Sequence, residues 1–499
     1  MLLIWVAAIA IAFLYIYNNK KNKHVYECAK KFPGPKAYPI FGNSLDFATN
    51  SNGIFKKIQQ FTNQYDRFFR IWNNGRLFLF CKDYQDAEVL LSNNVNITKS
   101  DQYRFTLPWI GQGLINATGS RWRAHRKIIT PTFHFKILQE FLDVFNRNGL
   151  IMCEKLAAHA GKGPIDVFPY LNLLALDNIC ETAMGINMNI QKNSETTYVK
   201  AVKTMCKIIS MRMFKVWLMP DLLFKMSKYY KMQQDALKIL HGTTEKVIKQ
   251  RRQELREKKD GNKKTEDDFY ERKKLGFLDL LIQSEEGSKL TDREVREQVD
   301  TFMFAGHDTI SSALSFSLYC LAHNPELQEK AYQEQLSIFG DSDRLPTFAD
   351  IQEMKYLEKV VKEAQRLFPS IPLIGRLISE DLELPGGYLV PKGAEIILLT
   401  WGLHRDPRVW KNPEQFDPEN FSPDAIQVRN PYSYVPFSAG SRNCIGQKYA
   451  MLELKATVAK VLRKFKILPS PYEKDQIELA AEVVMISTTG INLCIESRS

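Results

Sequence analysis

The sequence predicts a mainly α-helical protein with small β-sheets, preceded by one N-terminal transmembrane helix. Apolar residues recur at helical spacing through most of the chain after residue 120. The segment that begins at Thr291 contains no proline before Pro325, which leaves room for a helix roughly 48 Å long. The first seventeen residues carry no charged side chain, which is typical of a segment that enters a membrane.

The uncharged N-terminal segment, MLLIWVAAIAIAFLYIY, has the composition of a membrane anchor. As a helix it would extend about 25 Å, a short span that suits the thin bilayer of the endoplasmic reticulum. Lys20, Lys21 and Lys23 follow it, which predicts that the rest of the chain stays in the cytosol. A cleaved signal peptide is the alternative, but the basic start and the small residues before a cleavage site that it needs are absent.

The remainder of the chain has the composition of one large folded unit. The protein has 499 residues, of which 44% are hydrophobic, so it can bury a large core. No linker rich in proline, glycine and serine divides it. Pro33 and Pro35 either stiffen the segment after the anchor or belong to a plain linker. We therefore predict an anchor at 1–17, a basic and proline-rich linker at 18–36 and a single catalytic domain at 37–499.

The charge and the cysteines disfavour several classes of function. The net charge is +12, but no basic stripe interleaved with aromatic residues is present, so no nucleic-acid partner is expected. A negatively charged membrane surface or an acidic protein partner fits the charge better. Eight cysteines are scattered without a C-x-x-C pair, which disfavours zinc ribbons and is typical of reduced thiols in the cytosol.

Local signals predict individual elements of the domain. Thr291 and Glu294 form a capping box at the start of the long helix. Further helices are predicted for MKYLEKVVKEAQRLFP and for QKYAMLELKATVAKVLRKF. The segment GYLVPKGAEIILLT predicts a β-hairpin with its turn at 391–393.

The middle of the long helix, FMFAGHDTI, interrupts the apolar pattern. Ala305 and Gly306 remove side chains, and Gly306 costs up to about 1 kcal/mol relative to alanine. Small residues admit a flat ligand, Thr309 can hold a water and Asp308 can supply protons, so the stretch favours a functional site. The alternative is a glycine-induced kink in which Thr309 bonds to its own helix. His307 is expected to be a packed or surface histidine rather than a ligand.

The stretch FSAGSRNCIG surrounds Cys444 with two glycines, a phenylalanine and an arginine. Cys444 lies where a loop meets a predicted helix, a position at which backbone N–H groups stabilise a thiolate. Gly440 permits a tight turn, Gly446 permits the close approach of a bulky group, and Phe437 can shield the sulfur. Arg442 offers a fork for a carboxylate. A metal ligand, a nucleophile and a buried thiol are all candidates, and a thiolate beside a carboxylate-binding arginine fits haem, which carries iron and two carboxylates.

The same stretch resembles the F-x-x-G-x-R-x-C-x-G signature of the cytochrome P450 monooxygenases in every fixed position. The resemblance extends from about Pro33 to the C-terminus, and RKIITPTFHF, VDTFMF and YSYVPFSAGSRNCIGQKYAMLE are similar to family 4, the fatty-acid ω-hydroxylase group. It implies the cytochrome P450 fold, a triangular helical prism around haem, with Cys444 as the axial iron ligand. It also implies that Thr309 acts in oxygen activation and that Asp308 helps to deliver protons.

Further haem contacts follow from this resemblance. WRAHR matches the W-x-x-x-R motif, so Trp122 and Arg126 are expected to contact a haem carboxylate, as is Arg376 in PLIGR. Ala305 and Gly306 are expected to lie against the haem. Many members of family 4 carry a glutamate at the position of Ala305 that can esterify a haem methyl. Because alanine has no carboxyl group, we expect haem b that is held without a covalent bond.

A structural network is also implied by the resemblance. Glu363 and Arg366 match the E-x-x-R pair, and their spacing places both on one face of a helix. In the family this pair joins a buried network with a residue of a later P-E-R-F segment. Here that segment reads PENF, with Asn420 where arginine is frequent.

The expected function is a haem-thiolate monooxygenase of the endoplasmic reticulum membrane, with its catalytic domain in the cytosol. Electrons from NADPH would arrive through NADPH-cytochrome reductase, with cytochrome b5 as a further partner. One oxygen atom would enter a lipophilic substrate: a fatty acid, a related lipid, a hormone or a foreign compound. Lys448 is either a contact for the acidic surface of the reductase or a solvated lysine. Segments near 103–115 and 205–225 are expected to line the pocket.

Two other functions are compatible with the same residues. A haem-thiolate isomerase or peroxide-rearranging enzyme would turn over a lipid hydroperoxide without NADPH, but it has little use for Thr309 and Asp308. A haem or lipid carrier would show no turnover, and substrate-dependent consumption of NADPH would exclude it.

Overall fold

The computed structural model describes residues 22–39, 41–73, 75–193, 196–261, 276–287, 289–472 and 476–498, together with Trp5 and Lys20. The predicted membrane anchor at 1–17 lies outside these residues, apart from Trp5. Within the described ranges, no helix is both long enough and apolar enough to cross a bilayer. Part of the predicted linker, Lys23–Ala29, forms a short helix.

The body of the chain is mainly helical, as the sequence predicts. The described α-helices are α1 Lys23–Ala29, α2 Ser51–Gln64, α3 Tyr84–Ser92, α4 Leu107–Ile110, α5 Gly119–Ile129, α6 Phe135–Ala157, α7 Phe168–Thr182, α8 Ile190–Asn193, α9 Thr197–Phe214, α10 Asp221–Lys225, α11 Lys228–Gly261, α12 Phe277–Glu286, α13 Asp292–Ala322, α14 Pro325–Phe339, α15 Phe348–Glu353, α16 Lys355–Leu367, α17 Thr400–Leu403, α18 Pro423–Val428 and α19 Gln447–Lys464. Short 3-10 turns lie at Ser44–Phe47, Asp101–Thr106, Thr130–Phe133, Val216–Leu218, Pro418–Phe421, Pro431–Ser433 and Gly440–Arg442. The long predicted helix is α13, and both halves of the capping box between Thr291 and Glu294 are formed at its start.

Small β-sheets accompany the helices in the described part of the chain. The strands are β1 Phe68–Asn73, β2 Arg76–Cys81, β3 Ile165–Asp166, β4 Leu373–Leu377, β5 Leu382–Leu384, β6 Tyr388–Val390, β7 Glu395–Leu399, β8 Phe465–Pro469, β9 Leu479–Glu482, β10 Val484–Ser487 and β11 Asn492–Ser497. The largest sheet has the order β1-β2-β7-β4, in which β2 and β7 are parallel and the other neighbours are antiparallel. The sheets β3-β11-β8, β9-β10 and β5-β6 are antiparallel throughout.

The predicted hairpin over 387–400 is wrong in its pairing. Strands β6 and β7 flank the predicted turn, but β6 pairs with β5, whereas β7 lies between β2 and β4. All residues of β7 are buried, while β6 is half-buried over most of its length. A strand that is buried on both faces is stable inside a larger sheet, so β7 lies within the largest sheet and does not pair with β6, the strand that precedes it in the chain.

Helix α13 crosses the interior of the domain and packs against α7, α11, α16 and α19. At Gly306 the backbone approaches α7 so closely that an added Cβ would lie 2.6 Å from side-chain carbons of Ile179. Glycine is therefore needed here for helix packing. His307 is fully buried, with Nδ1 2.6 Å from the carbonyl oxygen of Met303, and is a packed histidine as predicted.

Candidate active site

A cavity of about 400 Å³ lies between the middle of α13 and the cysteine loop that precedes α19. Its volume falls within the usual range for small-molecule sites, about 300–1,000 Å³. The predicted site residues among its described lining are Trp122, Arg126, Ala305, Gly306, Thr309, Phe437, Arg442, Cys444 and Gly446. Asp308, Arg376 and Gly440 do not line it. The predicted pocket segments contribute to the wall as well, with Tyr103, Thr106, Ile110, Leu114, Ile115, Met213 and Phe214.

The geometry of the cysteine loop is set by its glycines and by one backbone hydrogen bond. The N–H of Cys444 donates to the carbonyl oxygen of Phe437 at 2.8 Å, which closes the loop. Gly440 has a φ of +68°, and an added Cβ there would lie 1.9 Å from the carbonyl oxygen of Leu91. At Gly446 the nearest neighbour of an added Cβ is the sulfur of Cys444, at 4.0 Å. A side chain at Gly440 would therefore disturb the turn, whereas a Cβ at Gly446 would meet the sulfur only at an ordinary contact distance.

The thiol of Cys444 is exposed to the cavity rather than packed in the core. Because protein surrounds that cavity, the thiol is still shielded from bulk water, and this desolvation raises its pKa above the ordinary value, while the N–H of Gly446 and the charge of Arg126 lower it. The expected stabilisation of a thiolate by the backbone is present, but burial is the larger effect. The loop alone therefore favours the neutral thiol, and a bound cation is what would hold the thiolate.

Arg126 and Arg442 flank the cysteine and donate hydrogen bonds only to neutral groups in the described part of the chain. Arg126 donates to the carbonyl and side-chain oxygens of Asn443, both at 2.9 Å. Arg442 donates to the carbonyl oxygens of Ile115 and Ala117 at 2.9 and 2.7 Å. Its guanidinium also lies 4.7 Å from the centre of the Trp122 ring. These contacts orient both guanidinium groups beside the cavity without neutralising their charge.

Lys99 and Arg376 are two further basic residues beside Arg126 and Arg442. Lys99 was not among the site residues predicted from the sequence. Lys99 and Arg376 face each other across an isolated β-bridge between the segment before α4 and strand β4. Burial and the charges of Arg376 and Arg442 hold the pKa of Lys99 well below its ordinary range. Burial and neighbouring cations also lower the pKa of Arg442, to about 9. A single lysine in NITKSDQY carries no local signal, so only the tertiary fold reveals it.

This cluster of four cations — Lys99, Arg126, Arg376 and Arg442, hereafter the cation cluster — has no carboxylate partner among the described residues. Uncompensated buried cations are costly, and their retention indicates a binding site for an anionic ligand. Haem fits the donor set, because it carries two carboxylates and an iron for which Cys444 offers a thiolate. Trp122 and Ala305 line the same cavity as the sulfur, and the small side chain of Ala305 suits contact with a flat ring.

On the opposite wall, Thr309 and Asp308 point in different directions. The hydroxyl of Thr309 lines the cavity and donates to the carbonyl oxygen of Ala305 at 2.7 Å, the bond to its own helix that was one of the two alternatives. Asp308 faces α9 and β9, where Cys206 Sγ lies 4.0 Å from Oδ2. Burial, and then the charge of Glu482, raise the pKa of Asp308 to about 7, although Lys203 opposes this. At neutral pH this carboxyl can therefore either hold or release a proton.

We expect Asp308→Asn to stabilise the fold at pH 8 and to stabilise it less at pH 5. Because the pKa in the folded state is raised, the fold loses stability as the pH rises from about 4 to about 7, and asparagine removes that loss. The gain at pH 8 should be of order 1–2 kcal/mol after allowance for solvent screening. Urea denaturation at both pH values measures it. Asp350→Asn is the control. Arg344 lowers the pKa of Asp350, so removal of that carboxylate should destabilise the fold. A change in stability on Asp308→Asn that is the same at both pH values would contradict the expectation.

The predicted network of Glu363 and Arg366 is formed and fully buried. Nε and Nη2 of Arg366 donate to the two carboxylate oxygens of Glu363, each at 2.8 Å. Asn420 joins the pair, since its Nδ2 donates to Oε1 of Glu363 at 3.1 Å. Arg429 then donates to the carbonyl oxygen of Asn420 at 2.7 Å and places its guanidinium 4.3 Å from the ring centre of Trp410. The guanidinium of Arg429 therefore lies next to the network, although the PENF segment itself contains no arginine.

Comparison with known proteins agrees with this geometry. The family model described as Cytochrome P450 matches residues 32–495. Cytochrome P450 4c3 of Drosophila melanogaster is 40% identical over 98% of this chain and 93% of its own length. Cytochrome P450 4V2 of Homo sapiens is 41% identical over 93% of this chain and 89% of its own length. The chain therefore belongs to the cytochrome P450 family and is a haem-dependent monooxygenase, in which the family implies ligation by a cysteine thiolate and electrons from a reductase.

Proposed function

We propose that this protein hydroxylates a lipophilic substrate with O2 and with electrons that a reductase delivers from NADPH. Haem b, when bound, supplies the oxygen-activating iron. The observation that carries the proposal is the placement of the Cys444 thiol and the Thr309 hydroxyl on one cavity that also contains members of the cation cluster. Cys444 would bind the iron, and Lys99, Arg126 and Arg442, the members of the cation cluster that line the cavity, would hold the two carboxylates together with Trp122. Ala305 offers no carboxyl group for an ester bond, so acidified acetone should extract all of the haem.

The residues of α13 would handle the protons that the reaction consumes. Thr309 presents a hydroxyl to the cavity, and the next residue in the chain, Asp308, can exchange protons at neutral pH. Removing the hydroxyl leaves the apolar wall intact but deprives the site of a polar group that accepts a hydrogen bond here, and that can donate one once it leaves the carbonyl oxygen of Ala305. Reducing equivalents should then be consumed without oxygen insertion.

Thr309→Ala tests this role. We expect product formation per NADPH consumed to fall at least about tenfold, in line with the usual size of acid–base effects, while hydrogen peroxide release rises. Thr301→Ala is a matched control, because Thr301 also lines the cavity and donates to the carbonyl oxygen four residues earlier, at 2.7 Å. Equal coupling of NADPH to product in the wild type and in Thr309→Ala would contradict the proposed role.

The partner side of the proposal rests on the surface behind the cysteine loop. A depression of about 430 Å³ opens there, and Phe437, Gln447 and the exposed Lys448 belong to its lining. An exposed cation on a depression that also contains Lys362 and Lys455 fits an acidic redox protein. We propose NADPH-cytochrome reductase and cytochrome b5 as the partners that dock at this surface.

The membrane side of the proposal rests on α10 and the turns around it. Trp217, Leu222, Leu223 and Met226 are exposed there, and Leu222 and Met226 are 74% and 79% exposed. An exposed apolar patch of this kind, on a chain with a net charge of +12, fits contact with a lipid surface. We propose that the protein lies on the endoplasmic reticulum membrane with its catalytic domain in the cytosol and an anchor at 1–17.

A further inference from the structure

The cavity has a further set of walls, contributed by neither α13 nor the cysteine loop, that the roles above do not use. These walls are residues of the 3-10 turn Ser44–Phe47, of α9 and of the largest sheet; we call these residues the aromatic arm. They are Phe47, Ile71, Phe78, Phe80, Phe214 and Ile397. Apart from Phe214 they belong to one buried apolar cluster, and Phe214 packs against it. The rings of Phe47 and Phe214 lie 5.5 Å apart. The arm therefore extends the cavity from α13 to the face of the sheet as an apolar space.

The charged side chains of the cavity lie outside the aromatic arm. Among the described residues that line it, the charged side chains are Lys99, Arg126 and Arg442. Arg126 and Arg442 are held by the cysteine loop and its neighbour, and the pKa of Lys99 responds to Arg376 and Arg442. All three therefore belong to the part of the cavity that would hold the haem carboxylates.

Neutral amide side chains also line the cavity, among them those of Asn73 and Gln102. Oδ1 of Asn73 accepts a hydrogen bond from the hydroxyl of Ser44 at 3.0 Å. Oε1 of Gln102 is buried and has no hydrogen-bond partner among the described residues. Because an amide carries no net charge, neither side chain can compensate a carboxylate as a cation would, whereas an amide can exchange hydrogen bonds with a hydroxyl or an ester.

These observations determine which lipid head group can bind in the aromatic arm. A carboxylate placed in the arm would lose its water without gaining a cation, so it would bind only after taking up a proton. An alcohol or an ester of the same length loses far less on transfer. Resting on the proposed function, we infer that the substrate is a neutral, elongated lipid, an alcohol or an ester, rather than a free fatty acid held by an ion pair.

A matched ligand series tests the inference on the purified full-length holoprotein. Dodecanoic acid, 1-dodecanol and methyl dodecanoate are titrated at about pH 8 and about pH 6, with the shift of the Soret band and the shift of the melting temperature as two readouts. We expect the alcohol and the ester to bind at least about tenfold more tightly than the acid at the higher pH. Affinity for the acid should rise as the pH falls, and affinity for the alcohol should not change. Binding of the acid at the higher pH that equals or exceeds that of the alcohol overturns the inference.

Gln102→Lys should reverse the preference for neutral lipids over the acid if the arm holds the lipid head group. Gln102→Met is its matched control. The lysine variant should gain at least about tenfold in affinity for dodecanoic acid, because the acid then finds a cation, and the methionine variant should not. An unchanged preference in the lysine variant contradicts the placement of the head group. The melting-temperature readout does not depend on the iron ligand. A protein that prefers neutral lipids but lacks the thiolate-type spectrum would therefore refute the proposed function and leave this inference standing.

Discussion

Glu363→Gln will strongly destabilise the fold. Both Glu363 and Arg366 are fully buried, and Arg366 also donates to the carbonyl oxygens of His404, Pro413 and Gln415 at 2.9, 2.6 and 2.8 Å. Burial raises the pKa of Glu363 although Arg366 lowers it, so the pair stabilises the fold little in itself. Removal of one partner is different, because it strands a buried charge at a cost of about 3–5 kcal/mol. That is a large part of the 5–15 kcal/mol by which domains are usually stable.

The yield of soluble protein and the midpoint of urea denaturation measure this effect. Glu419→Gln is the matched control, because Glu419 pairs with Lys330 and Lys359 at 3.0 and 2.8 Å but has a side chain that is 47% exposed. Loss of this exposed network should cost less than about 1 kcal/mol. A Glu363→Gln protein that denatures at the same midpoint as the control would contradict the account of the network.

The sequence predicts features that are decided locally. The capping box of Thr291 and Glu294 and the apolar period after it depend on neighbours within one or two turns, and α13 begins where they indicate. The turn of the cysteine loop is equally local, since the N–H of Cys444 closes it on the carbonyl oxygen of Phe437. Such features could be predicted because no distant residue changes them.

Features that depend on distant residues could not be predicted. Strand β7 pairs with β2, which lies more than three hundred residues earlier, and this pairing removes β7 from the expected hairpin. Lys99 enters the cation cluster through its bridge to Arg376. The completion of the network by Asn420, with Arg429 behind it, likewise depends on a turn that brings the two together. In each case the tertiary contact, rather than the residue type, decides the role.

Cys444→Ser will abolish oxygen insertion. A thiolate ligand donates electron density to iron and favours cleavage of the O–O bond, and a serine hydroxyl does not supply it. Serine keeps the size of the side chain and the N–H to Phe437 carbonyl bond of the loop, so the fold should be retained. Cys320→Ser is the control, because Cys320 is also a free cysteine but is buried in α13 away from the cavity lining. We expect product formation to fall to background in the first variant and to persist in the second.

The most direct measurement is the difference spectrum of the reduced protein with carbon monoxide. The wild type and Cys320→Ser should show the long-wavelength Soret band of a thiolate-ligated haem. Cys444→Ser and Cys444→His should lack this band, and the histidine variant should retain haem through its imidazole nitrogen. An unchanged long-wavelength band in either Cys444 variant would show that another group holds the iron and would contradict the assignment of this site.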